Sequence, residues 1–135
     1  LIFKNFDKKK QTKQKHTFIF VDTQNQKTMR VRRAEELFHG KEGYNCAQAI
    51  AAAFSKDALD IENYRAFGGG RAPENTCGAV YAGASLLNKE QSETFKKAFR
   101  QQTGALKCRE LKRDKKVPCK DCIKISAELL NKIMD

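Results

Sequence analysis

The sequence predicts an all-α fold: a compact single-domain bundle of about five to six helices with a Gly-rich loop and a flexible N-terminal extension. Apolar residues recur at helical spacing through most of residues 29–135, and capping residues and glycines mark where the segments begin and end. No stretch of this region alternates polar and apolar residues as a half-buried strand does. Because 135 residues supply one hydrophobic core, all motifs are expected to share it.

Residues 1–28 differ in composition from the rest of the chain. They are rich in Lys, Gln, Asn and Thr, and they lack a periodic pattern long enough for a stable element. We therefore predict a disordered basic extension over residues 1–28 and a helical cysteine-rich domain over residues 29–135. Met29 is a candidate natural start, in which case the preceding residues are translated upstream sequence.

Six helical segments are predicted in the domain. They cover residues 29–38, 44–54, 57–67 and 77–87, a segment between Asn88 and Gly104, and residues 119–134. Asn88 with Gln91 three residues later matches a capping box, and Gly104 is a typical C-terminal stop.

Composition and charge exclude several classes of function. No apolar run is long enough to span a bilayer or to form a signal-peptide core, so we expect a cytoplasmic protein without a membrane partner. The net charge of +11 can attract nucleic acid, but the basic residues of the domain are mixed with acids and lack an aromatic stacking platform. Nucleic acid is therefore not the favoured partner. No Ser-His-Asp set, paired catalytic carboxylates or HExxH motif appears, which leaves a hydrolase without support.

Five cysteines in a cytosolic chain favour metal binding or redox chemistry over structural disulfides. Three of them, Cys46, Cys77 and Cys119, directly follow residues that suit a helix N-terminus, namely Asn45, Thr76 and Pro118. Cys108 comes shortly after Gly104 and before another helical-looking stretch. The free N–H groups and the helix dipole at such positions lower the pKa of a thiol and favour the reactive thiolate.

Gly68, Gly69 and Gly70 form a loop that ends seven residues before Cys77. Consecutive glycines allow positive φ and a close approach of the backbone to a bound group, so they are candidate cofactor-binding residues. Neither the dinucleotide nor the P-loop spacing is present, and no strand precedes the loop. A plain turn between two helices is the alternative.

Four sequence blocks carry a resemblance. They are residues 42–49 (EGYNCAQA), 67–70 (FGGG), 76–80 (TCGAV) and 108–111 (CREL), followed by Cys119 and residues 127–130 (AELL). Their order and spacing resemble the family named for its C-GCAxxG-C-C cysteine pattern, over essentially residues 30–134. The resemblance implies a helical redox-active domain, with no stated reaction, and four signature cysteines at Cys46, Cys77, Cys108 and Cys119. The family's CGAxxG block has glycine where Ala82 stands, whereas the glycine here is Gly83, and Cys122 is an addition to the set.

The first hypothesis is thiol–disulfide or electron-transfer chemistry with an unidentified redox partner protein. Cys77 is the predicted attacking thiol, because a cap and the glycine loop precede it, and Cys46 is the predicted resolving thiol. Cys119 and Cys122 have the spacing of a dithiol motif but lack the strand-then-helix context of a thioredoxin-like site.

Three other interpretations remain open. Four thiolates are the right number for zinc or an iron–sulfur cluster, with Cys46, Cys77, Cys108 and Cys119 as ligands. The basic segment 107–120 could form a zinc-ordered binding module with Cys108, Cys119 and Cys122. Finally, the cysteines could be small apolar core residues, as free cysteine often is.

Overall fold

The computed structural model describes residues 24–54 and 57–134. Residues 1–23, which make up most of the predicted extension, lie outside the described residues. Residues 24–28 are helical and continue without a break into the next segment, so the first helix (α1) occupies residues 24–37. Helical structure is thus already present at residues 24–28, before the predicted domain boundary at Met29.

The described part of the chain is all-α, as predicted. The helices after α1 are α2 (Cys46–Ala53), α3 (Ala58–Asn63), α4 (Gly78–Ser85), α5 (Lys89–Thr103) and α6 (Cys119–Ile133). Short 3₁₀ turns occupy Tyr64–Phe67 and Pro73–Asn75, and a π-helical segment occupies Glu110–Asp114. Counting that segment, the described residues exceed the predicted five to six helices, and they contain isolated β-bridges but no strand.

Local capping chemistry sets the helix boundaries where the sequence carries it. Asn45 and Asn88 each form a capping box, with Gln48 and Gln91 respectively, at the starts of α2 and α5. Gly104 ends α5 in the left-handed conformation at φ +93°. These features confirm the predicted cap and stop.

The predicted helix over 57–67 is interrupted at Asn63. The carbonyl of Arg65 accepts hydrogen bonds from Asn45 Nδ2 at 2.8 Å and from the Arg71 guanidinium at 3.1 Å. Because these long-range donors engage the turn after α3, the chain tightens into the 3₁₀ turn instead of continuing as an α-helix. Asn45 thereby joins the start of α2 to this turn.

The core lies between α4 and the helices that pack on it, α2, α5 and α6. Phe95 and Phe99 from α5 and Ile123 and Leu130 from α6 are completely buried there. A Cβ on Gly83 of α4 would lie 2.5 Å from the Phe95 ring, so the displaced glycine of the CGAxxG block makes room for this aromatic side chain. None of the described helices is both long and apolar enough to cross a bilayer.

Candidate functional site

The site is the end of the bundle at which α2, α4 and α6 begin. Cys46 is the first residue of α2, Cys77 is the N-cap of α4, and Cys119 is the first residue of α6. The three helices pack against one another, and Cys77 and Cys119 are close enough to Cys46 for their charges to act on its pKa, so the three N-termini converge. With Cys108 and Cys122 they form what we call the thiol cluster, and all five cysteines are free.

Cys46 lies in a tight backbone cradle. The N–H of Gly69 donates to its sulfur, and a Cβ on Gly78 would lie 2.5 Å from Sγ, so only glycine fits beside it. Burial raises the pKa of the Cys46 thiol, and a charge on Cys77 would raise it further, although the Gly69 N–H opposes both effects. The cradle therefore holds Cys46 as a protonated thiol.

Cys77 and Cys122 form a buried pair. Their thiols are neighbours, and Cys77 is 5% and Cys122 2% exposed. The neighbouring Cys122 thiol, together with burial, raises the pKa of Cys77 well above its ordinary value. The expected activation of Cys77 is therefore not what this environment produces, because desolvation and the neighbouring thiol outweigh the helix N-terminus.

The predicted Thr76 cap is also absent. The Thr76 hydroxyl donates to the Pro73 carbonyl at 2.8 Å, and α4 begins one residue later than predicted, with Cys77 in the N-cap position. The N–H groups of Ala79 and Val80 face the Cys77 sulfur, too loosely to form a capping hydrogen bond, and only partly offset the rise in its pKa.

Cys108 and Cys119 lie at the surface end of the cluster, where both are partly exposed. Lys112, one turn after Cys108, lies beside the Cys119 sulfur, and this contact raises the pKa of Lys112. Burial raises the pKa of Cys108, whereas the Lys112 charge opposes that rise. The Lys112 ammonium group thus lies close enough to interact with both partly exposed thiols.

Backbone pairing between the start of α4 and the segment before Cys108 places this cysteine in the cluster. The N–H of Cys77 donates to the Leu106 carbonyl at 2.9 Å, and Thr76 forms an antiparallel bridge with Lys107. A Cβ on Gly70 would lie 3.2 Å from Cys108 Cβ, so the glycine loop packs directly on this residue. The start of α4, the loop and Cys108 are therefore held as one unit.

Two residues of the glycine loop contact the thiol cluster, and the third packs against the cap residue beside it. Gly68 packs against Asn45, where a Cβ would lie 2.4 Å from Nδ2. Gly69 donates to Cys46, and Gly70 packs on Cys108. The close approach expected of these glycines is thus made to protein groups, and binding of a cofactor by them stays a prediction.

Comparison with known proteins assigns the chain to a family. A family model described as "Putative redox-active protein (C_GCAxxG_C_C)" matches residues 44–134, about two thirds of the chain. The chain belongs to this family. No curated protein and no solved structure matches it.

The structure brings together the four signature cysteines of the C_GCAxxG_C_C family. A charge on Cys77 or Cys119 would raise the pKa of Cys46, and charges on Cys77, Cys119 and Cys46 would raise that of Cys108. Such mutual effects require sulfurs that are close in space. The sequence-based expectation that these thiols converge agrees with this arrangement, and the family description supports a redox-active protein without naming a reaction.

The metal hypothesis was tested against the same geometry. Within residues 24–54 and 57–134, no three His, Cys, Asp or Glu side chains are arranged to hold a metal ion. The thiols of this C_GCAxxG_C_C protein thus lie close together but do not have the arrangement of a metal site. We derive no chemical step through a metal.

The sequence-based site left out Lys112, and it included Cys122 only as a possible dithiol partner of Cys119 or as part of a zinc-ordered module. Cys122 lies outside the family's signature, but its position one helical turn after Cys119, next to the buried Ile123, indicates an inward-facing thiol. Lys112 follows Cys108 by four residues, which is the spacing of neighbours on a helix surface. Its contact with Cys119 depends on tertiary structure, which the sequence does not show.

Proposed function

We propose that this protein is a thiol–disulfide redox protein, which cycles between free thiols and a disulfide within the thiol cluster and exchanges electrons with a partner protein. The observation that carries the proposal is the buried pair of neighbouring thiols Cys77 and Cys122, which lies within a cluster that reaches the surface at Cys108 and Cys119. Buried thiols in contact can store electrons, and partly exposed thiols can pass them on.

The reaction balances without another cofactor. Two thiols of the cluster lose two protons and two electrons and form one S–S bond. The electrons and protons pass to a disulfide of the partner, which becomes two thiols. Transfer in the opposite direction returns the protein to its reduced form.

Packing alone accounts poorly for this arrangement. Single buried cysteines behave as small apolar residues, and Cys46, Cys77 or Cys122 taken alone would fit that description. Core packing does not require thiols from several separate parts of the chain to meet at one end of a bundle. Nor does it account for an ammonium group that lies beside one of them.

Native intact-mass spectrometry tests the proposal. Protein purified without oxygen is measured before and after treatment with a small disulfide oxidant, and again after a dithiol reductant. We expect the bare chain mass in the reduced form, a loss of two hydrogen atoms per disulfide on oxidation, and full reversal. A variant lacking all five cysteines is the control and should show no change.

The same spectra separate the alternatives. A mass excess equal to zinc or an iron–sulfur cluster in the reduced protein, lost in Cys77→Ala, would replace the proposal with a metal site. A bare mass that never changes on oxidation would leave the cysteines as packing residues.

A further inference from the structure

We infer that Cys119 and Cys122 are the dithiol that meets the substrate, with Cys119 attacking and Cys122 resolving, and that the substrate is a disulfide bearing carboxylates. This inference rests on the proposed redox function and deepens it by assigning the reacting pair. It differs from the sequence-based assignment of Cys77 and Cys46, and it uses a cysteine outside the family's signature.

The two thiols occupy positions suited to a disulfide within one helix. Cys119 is the first residue of α6 and is partly exposed, whereas Cys122 follows one turn later and is buried. Residues three apart in an α-helix have Cα atoms about 5 Å apart, within the range that a disulfide spans. The Cα spacing therefore permits the bond, with one sulfur partly exposed to substrate and the other buried. Its closure requires the first turn of α6 to tighten, because the Cβ atoms of such neighbours are about 5–6 Å apart and a disulfide needs about 4 Å.

Two features of the surroundings place positive charge beside the Cys119 sulfur. The Lys112 ammonium group lies next to it, and this contact raises the pKa of Lys112. In addition, Pro118 offers no side-chain cap to α6, in contrast to the capping box of Asn45 at α2, so side chains leave the first N–H groups of α6 unsatisfied. Both features place positive charge beside the attacking sulfur.

The exchange then takes two steps. The Cys119 thiolate attacks one sulfur of the substrate, the substrate S–S bond breaks, and the first half leaves as a thiolate. The Cys122 thiol gives up its proton and attacks Cys119 Sγ, which forms the Cys119–Cys122 bond and releases the second half. The substrate disulfide gains two electrons, and the protons released by the two cysteines balance those taken up by the leaving thiolates.

The charge around Cys119 selects the class of substrate. Lys112, Lys116 and Lys120 are exposed and near it in the chain, and the segment 107–120 holds seven basic residues against the acids Glu110 and Asp114. Asp121 adds one acid in the first turn of α6. The surplus of positive charge attracts carboxylates and repels cationic disulfides.

The test compares two small disulfides of opposite charge, oxidised glutathione and cystamine, on the reduced full chain. In the wild-type protein we expect peptide mapping to find a Cys119–Cys122 bond. In Cys122→Ala, a stable mixed disulfide should accumulate on Cys119, and in Cys119→Ala none should form. Lys124→Ala, at an exposed position of α6 outside the thiol cluster, is the control and should still form the Cys119–Cys122 bond. At low salt, oxidised glutathione should react about tenfold faster than cystamine, and the ratio should approach one at high salt.

The outcomes separate the two proposals. A Cys77–Cys122 bond in the wild-type protein, or a mixed disulfide on Cys108, would overturn this inference and leave the redox function intact. Equal rates for the two disulfides at low salt would overturn the substrate assignment. If the wild-type protein forms no disulfide with either reagent, the inference and the redox function both fail. The wild-type mapping decides the pair even if a variant does not fold.

Discussion

The Asn45→Ala substitution probes the joint between α2 and the turn that follows α3. Asn45 Oδ1 accepts the Gln48 N–H at 3.0 Å, and Nδ2 donates to the Arg65 carbonyl at 2.8 Å. Loss of an N-cap costs about 1 kcal/mol, and loss of a hydrogen bond about another 1 kcal/mol. Arg71 still donates to the same carbonyl, so no buried acceptor is left alone. We expect a total loss of about 2 kcal/mol in the free energy of unfolding.

Urea unfolding of the fully reduced protein, followed by circular dichroism, measures this loss. With a denaturant slope of about 2 kcal/mol per molar urea, the midpoint should fall by about 1 M. Asn45→Asp is the matched control, because a carboxylate keeps the cap acceptor but cannot donate to Arg65, and it should lose only about 1 kcal/mol. A loss below about 0.5 kcal/mol for Asn45→Ala, or an equal loss for both variants, would refute this account of the joint.

Three further predictions follow from the packing and the thiols. Gly83→Ala should lower the free energy of unfolding by about 1–3 kcal/mol, because the added Cβ would lie 2.5 Å from the Phe95 ring. Urea unfolding should show a smaller loss when the same substitution is made in a Phe95→Leu background. An equal loss in both backgrounds would contradict the clash. Because the pKa of Cys77 is raised in the folded protein, the thiol loses its proton at a lower pH in the unfolded chain than in the folded one. The protonated Cys77 thiol therefore contributes its full stabilisation below an ordinary thiol pKa of about 8.5, and this contribution is lost as the pH rises through the raised value. Urea midpoints measured from pH 8 to 10 should therefore fall less steeply in Cys77→Ala than in the wild-type protein, and equal slopes would count against the raised pKa. Oxidation should raise the free energy of unfolding by about 2 kcal/mol if the disulfide closes the four-residue loop from Cys119 to Cys122. A disulfide from Cys77 to Cys122 would close a loop of about 46 residues and raise it by about 4 kcal/mol. An increase near the larger value would contradict the assigned dithiol.

The helices of this fold could be predicted where their signals are local. Asn88 with Gln91 and the final Gly104 bracket α5 in the sequence, and the structure places that helix between them. The break after Asn63 could not be predicted, because the donors that capture the Arg65 carbonyl come from elsewhere in the chain. The π-helical turn at Glu110–Asp114 was missed as well, since five residues with the single apolar residue Leu111 show no period that distinguishes a π-helix from an α-helix.

The candidate site was predictable as a set of residues but not as an environment. The helix starts at Cys46 and Cys119 were read from the residues that precede them. The expected activation of Cys77 was not found, because the pKa of a thiol depends on burial and neighbouring groups as much as on a helix N-terminus. For Cys77 the decisive neighbour is Cys122, which only the packing of α4 on α6 brings close.

The burial of three thiols at one end of the bundle makes them natural reporters of local opening. An alkylating reagent can reach Cys46, Cys77 or Cys122 only when the helices around that residue separate, whereas the partly exposed Cys108 and Cys119 are accessible in the closed fold. The modification rate of each buried sulfur, relative to that of a free thiol, gives the free energy of the opening that exposes it. A native-state alkylation series could therefore rank the stability of the junctions between α2, α4 and α6 without an introduced label.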